Sequence, residues 1–395
     1  MAATEKGVWN LQEVRDKQLA SEWAYDAPSS SFNQTWTTGA SAMLGVSLSG
    51  PASRSSPVQV PGTSWGGPSS LASIKLSTGV GELFRMWLKN DGTIWGAGSG
   101  RKLGQNNPTT YSSPKQLGTG TDWRSLSTSW AQTVAVKTDG TMYSWGEQSY
   151  GELGQNNNTV YSSPRQIPGT TWGEWVSTAS GYNVSMNIKT DGTLWAWGGN
   201  NWGGLGQNDR TNRSSPVQIP GTWSDPKDMA SKSVIKSDGT LWSWGYNRWG
   251  QLGLNESSAP SFTKHRSSPT QLPGTTWSKV SRTFSNQFGI KTDGTLWVMG
   301  KNDYGQMGQG DDINRSSPTQ ITGTWKNIVS GGTPGSSVLG VKTDGTLWVW
   351  GNASNQGAMG NNTRNIDYSS PVQLPGNWSD VGAINGYGLT AFRGV

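Results

Sequence analysis

The run Val184-Ser185-Met186-Asn187-Ile188-Lys189-Thr190-Asp191-Gly192-Thr193-Leu194-Trp195-Ala196-Trp197-Gly198 places two apolar segments on either side of an Asp-Gly pair. Asp-Gly between apolar runs is a strong short-range hairpin signal, and it predicts a two-residue loop whose central residues tolerate positive φ. Met186 and Ile188 alternate with polar residues. The second segment does not alternate: Leu194 and Ala196 fall on one face of a strand, Trp195 and Trp197 on the other. A strand that is apolar on both faces must be covered on both.

The same sentence recurs. Its aspartate stands at Asp91, Asp139, Asp191, Asp238, Asp293 and Asp344, at separations of 48, 52, 47, 55 and 51 residues. A period of that length points to a repeat architecture. Two other signals keep the same rhythm. Ser-Ser-Pro begins at Ser55, Ser112, Ser162, Ser214, Ser267, Ser316 and Ser369, and a linker tryptophan falls at Trp65, Trp123, Trp172, Trp223, Trp277, Trp325 and Trp378. Between hairpin and Ser-Ser-Pro lies a Gly- and Asn-rich corner such as Gly203-Gly204-Leu205-Gly206, whose single Leu reads as a plug into the core. Ser-Ser-Pro itself reads as the outermost strand, because proline removes a ladder donor and blunts an edge. Small residues after the linker Trp, such as Val176-Ser177, suit an innermost strand near a crowded axis. About four strands per repeat make the blade of a β-propeller.

Six copies of the hairpin against seven of the other two signals place the remaining unit at the chain ends. Thr35-Trp36-Thr37-Thr38-Gly39 aligns with Leu347-Trp348-Val349-Trp350-Gly351, and the stretches Val381 to Ile384 and Leu389 to Phe392 supply an inner and a second strand. The expected fold is all-β: a seven-bladed β-propeller over residues 31–395, its last blade split between the two termini. Thr-Asp-Gly-Thr-Leu-Trp-x-Trp-Gly followed by the Gly-x-Leu-Gly corner resembles the repeat of the regulator of chromosome condensation family, in its bacterial and phage form. That resemblance implies the same propeller with a split closing blade.

Composition adds exclusions. The chain has 395 residues, a formal net charge of +6, 24 Trp, 55 Gly and no Cys, which removes disulfides and thiolate-metal sites. No apolar stretch reaches membrane-spanning length, and Met1-Ala2-Ala3-Thr4-Glu5-Lys6 lacks the pattern of a secretory signal, so assembly in a cytoplasm is expected. The single histidine, His265, reads as a solvated loop residue, and Asp311-Asp312 as a solvated turn. No Walker loop, dinucleotide fingerprint or nucleophile–base pair is visible. The reading is therefore no enzyme, no cofactor and no metal. The residue before Ser-Ser-Pro is always Arg or Tyr (Arg54, Tyr111, Tyr161, Arg213, Arg266, Arg315, Tyr368), which reads as planar stacking in preference to a nucleic-acid rim.

Binding remains as the activity. Tyr150, Trp202, Trp249 and Tyr304 share one corner position among Asn200, Asn201, Asn247 and Asn302, an arrangement suited to flat sugar faces and their hydroxyls. Residues 1–30 stand outside the period. Val8, Trp9, Leu11, Val14, Leu19 and Trp23 suggest a short amphipathic helix from about Leu11 to Trp23, marginal alone in water, which either packs on the propeller or docks on another protein as an anchor. Gly7-Val8-Trp9-Asn10-Leu11 resembles the start of structural proteins of tailed bacteriophages. The resemblance implies a virion component: other virion proteins bind residues 1–30, and the ring faces a host receptor or glycan. The alternative is a cellular protein–protein interaction scaffold of the regulator of chromosome condensation type.

Overall fold

The computed structural model describes residues 34–39, 54–60, 84–129, 132–179, 184–224, 226–258, 263–331, 337–352, 359, 366–385 and 388–393. The expected helical anchor, with Val8, Trp9, Leu11, Val14, Leu19 and Trp23, lies outside them. Every regular element described is a strand. β1 (Gln34–Gly39) and β2 (Arg54–Gln59) come first, then β3 (Phe84–Leu88), β4 (Ile94–Gly98) and β5 (Tyr111–Gln116). Antiparallel meanders follow: β6 (Trp123–Thr128), β7 (Gln132–Lys137), β8 (Met142–Gly146) and β9 (Tyr161–Ile167); then β10 (Trp172–Ala179), β11 (Val184–Lys189), β12 (Leu194–Gly198) and β13 (Arg213–Ile219). The next are β14 (Asp228–Ala230), β15 (Ser233–Ile235), β16 (Leu241–Gly245) and β17 (Arg266–Gln271), and β18 (Trp277–Arg282), β19 (Asn286–Lys291), β20 (Leu296–Gly300) and β21 (Arg315–Ile321). β22 (Trp325–Gly331), β23 (Ser337–Lys342), β24 (Leu347–Gly351) and β25 (Tyr368–Leu374) precede the final pair, β26 (Asp380–Asn385) and β27 (Gly388–Arg393).

That final pair joins the two ends of the chain. The closing sheet runs β2-β1-β27-β26, with Thr35 opposite Phe392 and Trp36 opposite Ala391. Among the described residues, four-stranded blades number six: the five meanders from β6 to β25 and the closing sheet. The expectation of a seven-bladed propeller is corrected by β3-β4-β5, which has three strands. An innermost strand for this sheet would have to follow Trp65, and residues 61–83 lie outside those described. The sequence there differs in kind. Trp65 is followed by Gly66-Gly67-Pro68-Ser69, where sister repeats read Arg124-Ser125-Leu126-Ser127 or Ser278-Lys279-Val280-Ser281. Proline three residues past the Trp removes a ladder donor, and paired glycines weaken a strand.

The three-stranded sheet still fills its place. Phe84, Met86 and Leu103 pack against Trp123, Leu126 and Trp145 of the next blade. On its other side Trp87 and Ala97 meet Val60 and Phe392 of the closing blade. With the remaining inter-blade clusters, these contacts close the ring.

Tryptophan indoles fasten one blade to the next. Trp145, Trp197, Trp244 and Trp350 are fully buried, and each Nε1 donates across a blade boundary to a corner carbonyl, at Lys102 (3.0 Å), Glu152 (2.8 Å), Gly204 (2.9 Å) and Gln306 (3.0 Å). The corner plugs Leu103, Leu153, Leu205, Leu252, Met307 and Met359 are completely buried. Gly154 shows why the corner needs glycine: its φ is +67°, and a Cβ there would sit 2.9 Å from Trp197 Nε1. At the periphery the amides of Asn106, Asn156, Asn208, Asn255 and Gly310 donate to the first Ser-Ser-Pro carbonyl of the following blade, at 2.7–2.9 Å.

The hairpin loop is three residues long, not two. Lys189 N donates to Thr193 O and Gly192 N to Lys189 O, both at 2.9 Å, which leaves Thr190-Asp191-Gly192 in the loop. Only the glycine has positive φ, at +79°. The aspartate earns its place differently. Asp191 Oδ1 accepts from Thr193 N (2.9 Å) and Thr193 Oγ1 (2.6 Å), and that hydroxyl accepts from Trp195 Nε1 (2.7 Å). The carboxylate–threonine part recurs at Asp91, Asp139, Asp238, Asp293 and Asp344. Lys189 Nζ lies 4.1 Å from the Trp195 ring and 4.6 Å from Trp172, and Lys236, Lys291 and Lys342 repeat this double cation–π contact.

Two outcomes follow from this architecture. Removing residues 379–395 deletes β26 and β27 and leaves β1 paired with β2 alone; circular dichroism on heating should show the cooperative transition lost, and an unchanged midpoint would refute the closure. The threonine hydroxyl holds Asp139, Asp191, Asp238, Asp293 and Asp344 below the ordinary aspartate value of 3.8. A folded-state pKa below the unfolded one gives stability that is present above about 3.8 and is lost as pH falls through the folded value. Replacing all six turn aspartates by Asn should flatten the fall of the thermal midpoint below pH 4; an identical acid limb in both proteins would remove the turns as its cause.

Candidate functional site

In an antiparallel meander, alternate connections lie at opposite ends of the strands. The Asp-Gly hairpins and Pro-Gly linkers therefore occupy one face of the ring, and the corners occupy the other. Tyr150, Trp202, Trp249 and Tyr304 all stand on that corner face, at the turn preceding the plug.

Their surroundings differ. Tyr150 is the most open, at 41 % exposure, and its amide donates to Glu152 Oε2 (2.7 Å). Trp202 packs edge-on to His265 (4.9 Å between centroids) and tilts against Tyr246 (5.4 Å), which in turn stacks on His265. Trp249 and Tyr304 are brought together across a blade boundary by Lys301, whose Nζ lies 5.2 Å from one ring and 5.4 Å from the other. Lys301 also pairs with Asp303 at 2.9 Å, and Arg248 stacks on Trp249 at 4.9 Å. So the four aromatics divide into an exposed Tyr150, a packed Trp202 and a cationic pair at Trp249 and Tyr304.

The asparagines are builders of the loop. Asn302 Oδ1 accepts from Met307 N (2.8 Å), and its Nδ2 donates to Asp311 O (2.8 Å) and Oδ1 (2.9 Å). Asn200 makes the same bonds to Leu205 and Asp209, and Asn247 accepts from Leu252 N and donates to Glu256 O. All three are buried. Only Asn201 of the four corner asparagines is exposed.

Two sequence expectations change here, for His265 and Asp311. The stacking expected before Ser-Ser-Pro holds at Tyr111 and Tyr368, which pack against tryptophan clusters, and it gains polar contacts. His265 is half-buried, not solvated: Nδ1 accepts from Asn247 N at 2.9 Å, and burial, then the nearby Arg210 charge, lowers its pKa to about 4. The planar residue before Ser-Ser-Pro pins the corner loop by a polar contact. Arg213 reaches Asp209 Oδ2 (2.7 Å) and Arg315 reaches Asp311 Oδ2 (2.6 Å), while Tyr111 and Tyr161 hydroxyls accept from Asn107 (3.3 Å) and Asn157 (3.2 Å). Arg266 performs this role towards Glu256 in the longer loop. Asp311 is thus engaged by Arg315 and Asn302, whereas Asp312 is exposed. The sequence reading missed Lys301 and Arg248. Lys301 meets Trp249 from 52 residues away across a blade boundary, so local spacing carries no sign of it.

Among the described residues, no group of three or more His, Asp or Glu is placed to hold a metal ion, and no helix is long and apolar enough to cross a membrane. Near the axis, polar side chains join neighbouring inner strands instead. Ser127 meets Thr178 (2.9 Å), Val280 N donates to Asp228 Oδ2 (2.7 Å), and Asn327 donates to Asp380 Oδ1 (2.7 Å).

Comparison with known proteins agrees with this geometry. The regulator of chromosome condensation (RCC1) repeat matches residues 139–188, 191–230, 238–282 and 293–333. The ultraviolet-B receptor UVR8 of Arabidopsis thaliana is 27 % identical over 208 residues, covering 50 % of this chain and only 33 % of that receptor. Among solved structures, Prp20p of Saccharomyces cerevisiae, described with its binding to Gsp1p and histones, superposes with a TM-score of 0.75 at 18 % identity, over 93 % of this chain and 92 % of its own. Human WBSCR16 gives 0.70 at 18 % identity over 92 % and 99 %. The chain is thus similar to RCC1-repeat proteins in sequence over its middle repeats, and in fold over nearly its whole length.

One corner carries a carboxylate where two of its sisters carry amides. Glu152 Oε2 accepts from Ser149 N and Tyr150 N, as Gln251 and Gln306 accept from Trp249 N and Tyr304 N. Burial raises the Glu152 pKa above 4.5. Its ionised form therefore destabilises the fold at neutral pH, a penalty that vanishes as pH falls below the ordinary glutamate value. Glu152→Gln should raise the thermal midpoint at pH 7, with the gain shrinking towards pH 4; a lower midpoint at pH 7 would show that the charge is needed there.

Proposed function

We propose that this chain is a non-catalytic scaffold that binds a partner protein through the loops of its ring. The observation that carries the reading is the match of four repeats to the RCC1 repeat, on a ring whose repeating side chains are already engaged in holding blades together. What remains to discriminate partners is the side chains that differ between repeats, and the corner loops carry several of these, Tyr150, Glu152 and Lys301 among them. Prp20p is described by protein partners, Gsp1p and histones, and was also solved bound to Kap60. The hypothesis assigns this chain the same general kind of activity and none of those individual partners.

A second reading displays the ring on a tailed-phage particle, with residues 1–30 as anchor to other virion proteins and the corner aromatics facing a host receptor or glycan. The Gly7-Val8-Trp9-Asn10-Leu11 stretch favours it.

Cross-linking mass spectrometry on cells that make the full chain, run beside purified phage particles where these exist, tests both. The scaffold reading expects one protein species cross-linked through corner-face lysines such as Lys301, and saturable stoichiometric binding when that species is purified. Absence of any saturable partner would overturn it. A fixed copy number in purified particles would install the second reading in its place.

A further inference from the structure

The corner loop between β16 and β17 departs from its sisters at one position. Asn200 N donates to Asn212 Oδ1 (2.7 Å) and Asn302 N to Asn314 Oδ1 (2.6 Å), which folds the start of each loop against its end. Here the same bond runs from Asn247 N to His265 Nδ1 (2.9 Å). The imidazole takes over the asparagine's bond and adds a ring. That ring packs edge-on to Trp202 of the preceding blade, 4.9 Å between centroids. Asn208 N, in the loop that carries Trp202, donates to Ser267 O (2.8 Å), two residues past His265. The corner loops of these two blades are thus bonded into one continuous surface, with Trp202 half-buried at the seam.

Charge on this surface is unbalanced. Residues 199–213 and 246–266 carry Arg210, Arg213, Arg248, Lys264 and Arg266 against two carboxylates, Asp209 and Glu256. Both carboxylates are engaged, Asp209 by Arg213 (2.7 Å) and Glu256 by Arg266 and Lys264 (3.5 Å to the lysine). His265 adds no charge, because an Nδ1 that accepts a bond belongs to a neutral ring. Carboxylates of the flanking corners are turned to their own partners: Glu147 to Lys102 (3.8 Å), Glu152 to Ser149 N and Tyr150 N, Asp303 to Lys301 and Asp311 to Arg315. Asp312 is exposed one blade further on. The common frame does not call for these cations. Arg210 stands where equivalent turns carry Pro108, Asn158 and Asp312, and Arg248 where equivalent corners carry Gly100, Ser149, Asn201 and Asp303.

We propose that the seam between these two loops is a docking seat for an acidic segment of a partner protein. Arg210, Arg248 and Lys264 meet its carboxylates, and Trp202 receives an apolar side chain beside them. The inference rests on the scaffold reading and names the surface and the partner chemistry. Charge complementarity selects the occupant. A peptide fits better than a nucleic acid strand, because successive bases stack on open ring faces. The seam offers one half-buried indole, already packed against His265 and Tyr246.

The probe is a fluorescein-labelled peptide of alternating Glu and Leu, titrated with the full chain and followed by anisotropy. Peptides with Gln in place of Glu, or Ser in place of Leu, and a labelled oligothymidylate are the controls. The Glu-Leu peptide should saturate, and no control should bind as tightly. Arg210→Asn with Lys264→Gln changes two exposed side chains; it should leave the thermal midpoint unchanged and weaken binding by at least about tenfold. Lys115→Gln with Arg165→Gln removes the same charge from exposed positions on β5 and β9 and should weaken binding by less than about twofold. Equal losses from the two pairs would overturn the seat, since net charge alone would then account for binding. Equal binding by either control peptide would do the same. Tighter binding of the oligothymidylate, lost in the first pair, would give the surface to nucleic acid instead. Self-association of the wild-type chain that the first pair abolishes would give it to a second copy and overturn the seat as well. Retention of a cross-linked cellular partner by the first pair, once the peptide is lost, would sink the seat as the partner's site and leave the scaffold reading standing.

Discussion

Leu194 and Trp197 lie on opposite faces of one short strand, and both are completely buried. No single sheet can satisfy such a strand; it needs a neighbour on each side, and so does each neighbour in turn. The demand has no end point along a line, so the chain closes on itself. β1 pairing with β27 is the step that meets the condition for the last sheet, and it does so with backbone hydrogen bonds from opposite termini. Hydrophobic burial drives sheets together without fixing their angle. The indole bonds from Trp145, Trp197, Trp244 and Trp350 to corner carbonyls add direction, because each works only at one placement of blade against blade.

The parts of this ring that could be read from the sequence are those where one residue type answers one local demand. Proline on the outer strand, a leucine plug between glycines and a glycine after aspartate each carry their reason within a few residues. The hairpin's length could not be read that way. Asp-Gly suits a two-residue loop, but the carboxylate bond to the threonine two residues on stabilises a three-residue loop with only the glycine at positive φ. The blade count failed for a related reason. Ser-Ser-Pro and the linker Trp mark the start and end of a repeat, and neither counts the strands paired between them, which are three in β3-β4-β5.

Site residues were less legible than the frame because their contacts cross blade boundaries. Trp249 and Tyr304 were found by their shared corner position, yet Lys301, which lies between them, shares no local pattern with Trp249. His265 seemed solvated because it falls in a long loop; Tyr246 and Trp202, which enclose it, come from two different blades. The Arg-or-Tyr rule before Ser-Ser-Pro was visible as a pattern, but its meaning lay four residues upstream. Arginine stands where the loop offers Asp209 or Asp311, and tyrosine where it offers Asn107 or Asn157.

A repeat protein supplies its own controls, and these separate folding from function. Where sister loops share a geometry and one residue departs, either the departure serves the fold or it serves something outside it. Glu152 in a position held by Gln251 and Gln306 in two sister corners makes the same amide contacts but buries a charge, so its departure costs stability without improving the corner. Ile313 in a position held by Thr109, Thr159 and Thr211 in three sister loops keeps the same turn and exposes an aliphatic surface to water. The common frame explains neither residue. Because blade packing already engages the repeated tryptophans, lysines and aspartates, departures of this kind are where selection for a partner could act without disturbing the ring. Such departures lie on the corner face, at the loops that precede the outer strands.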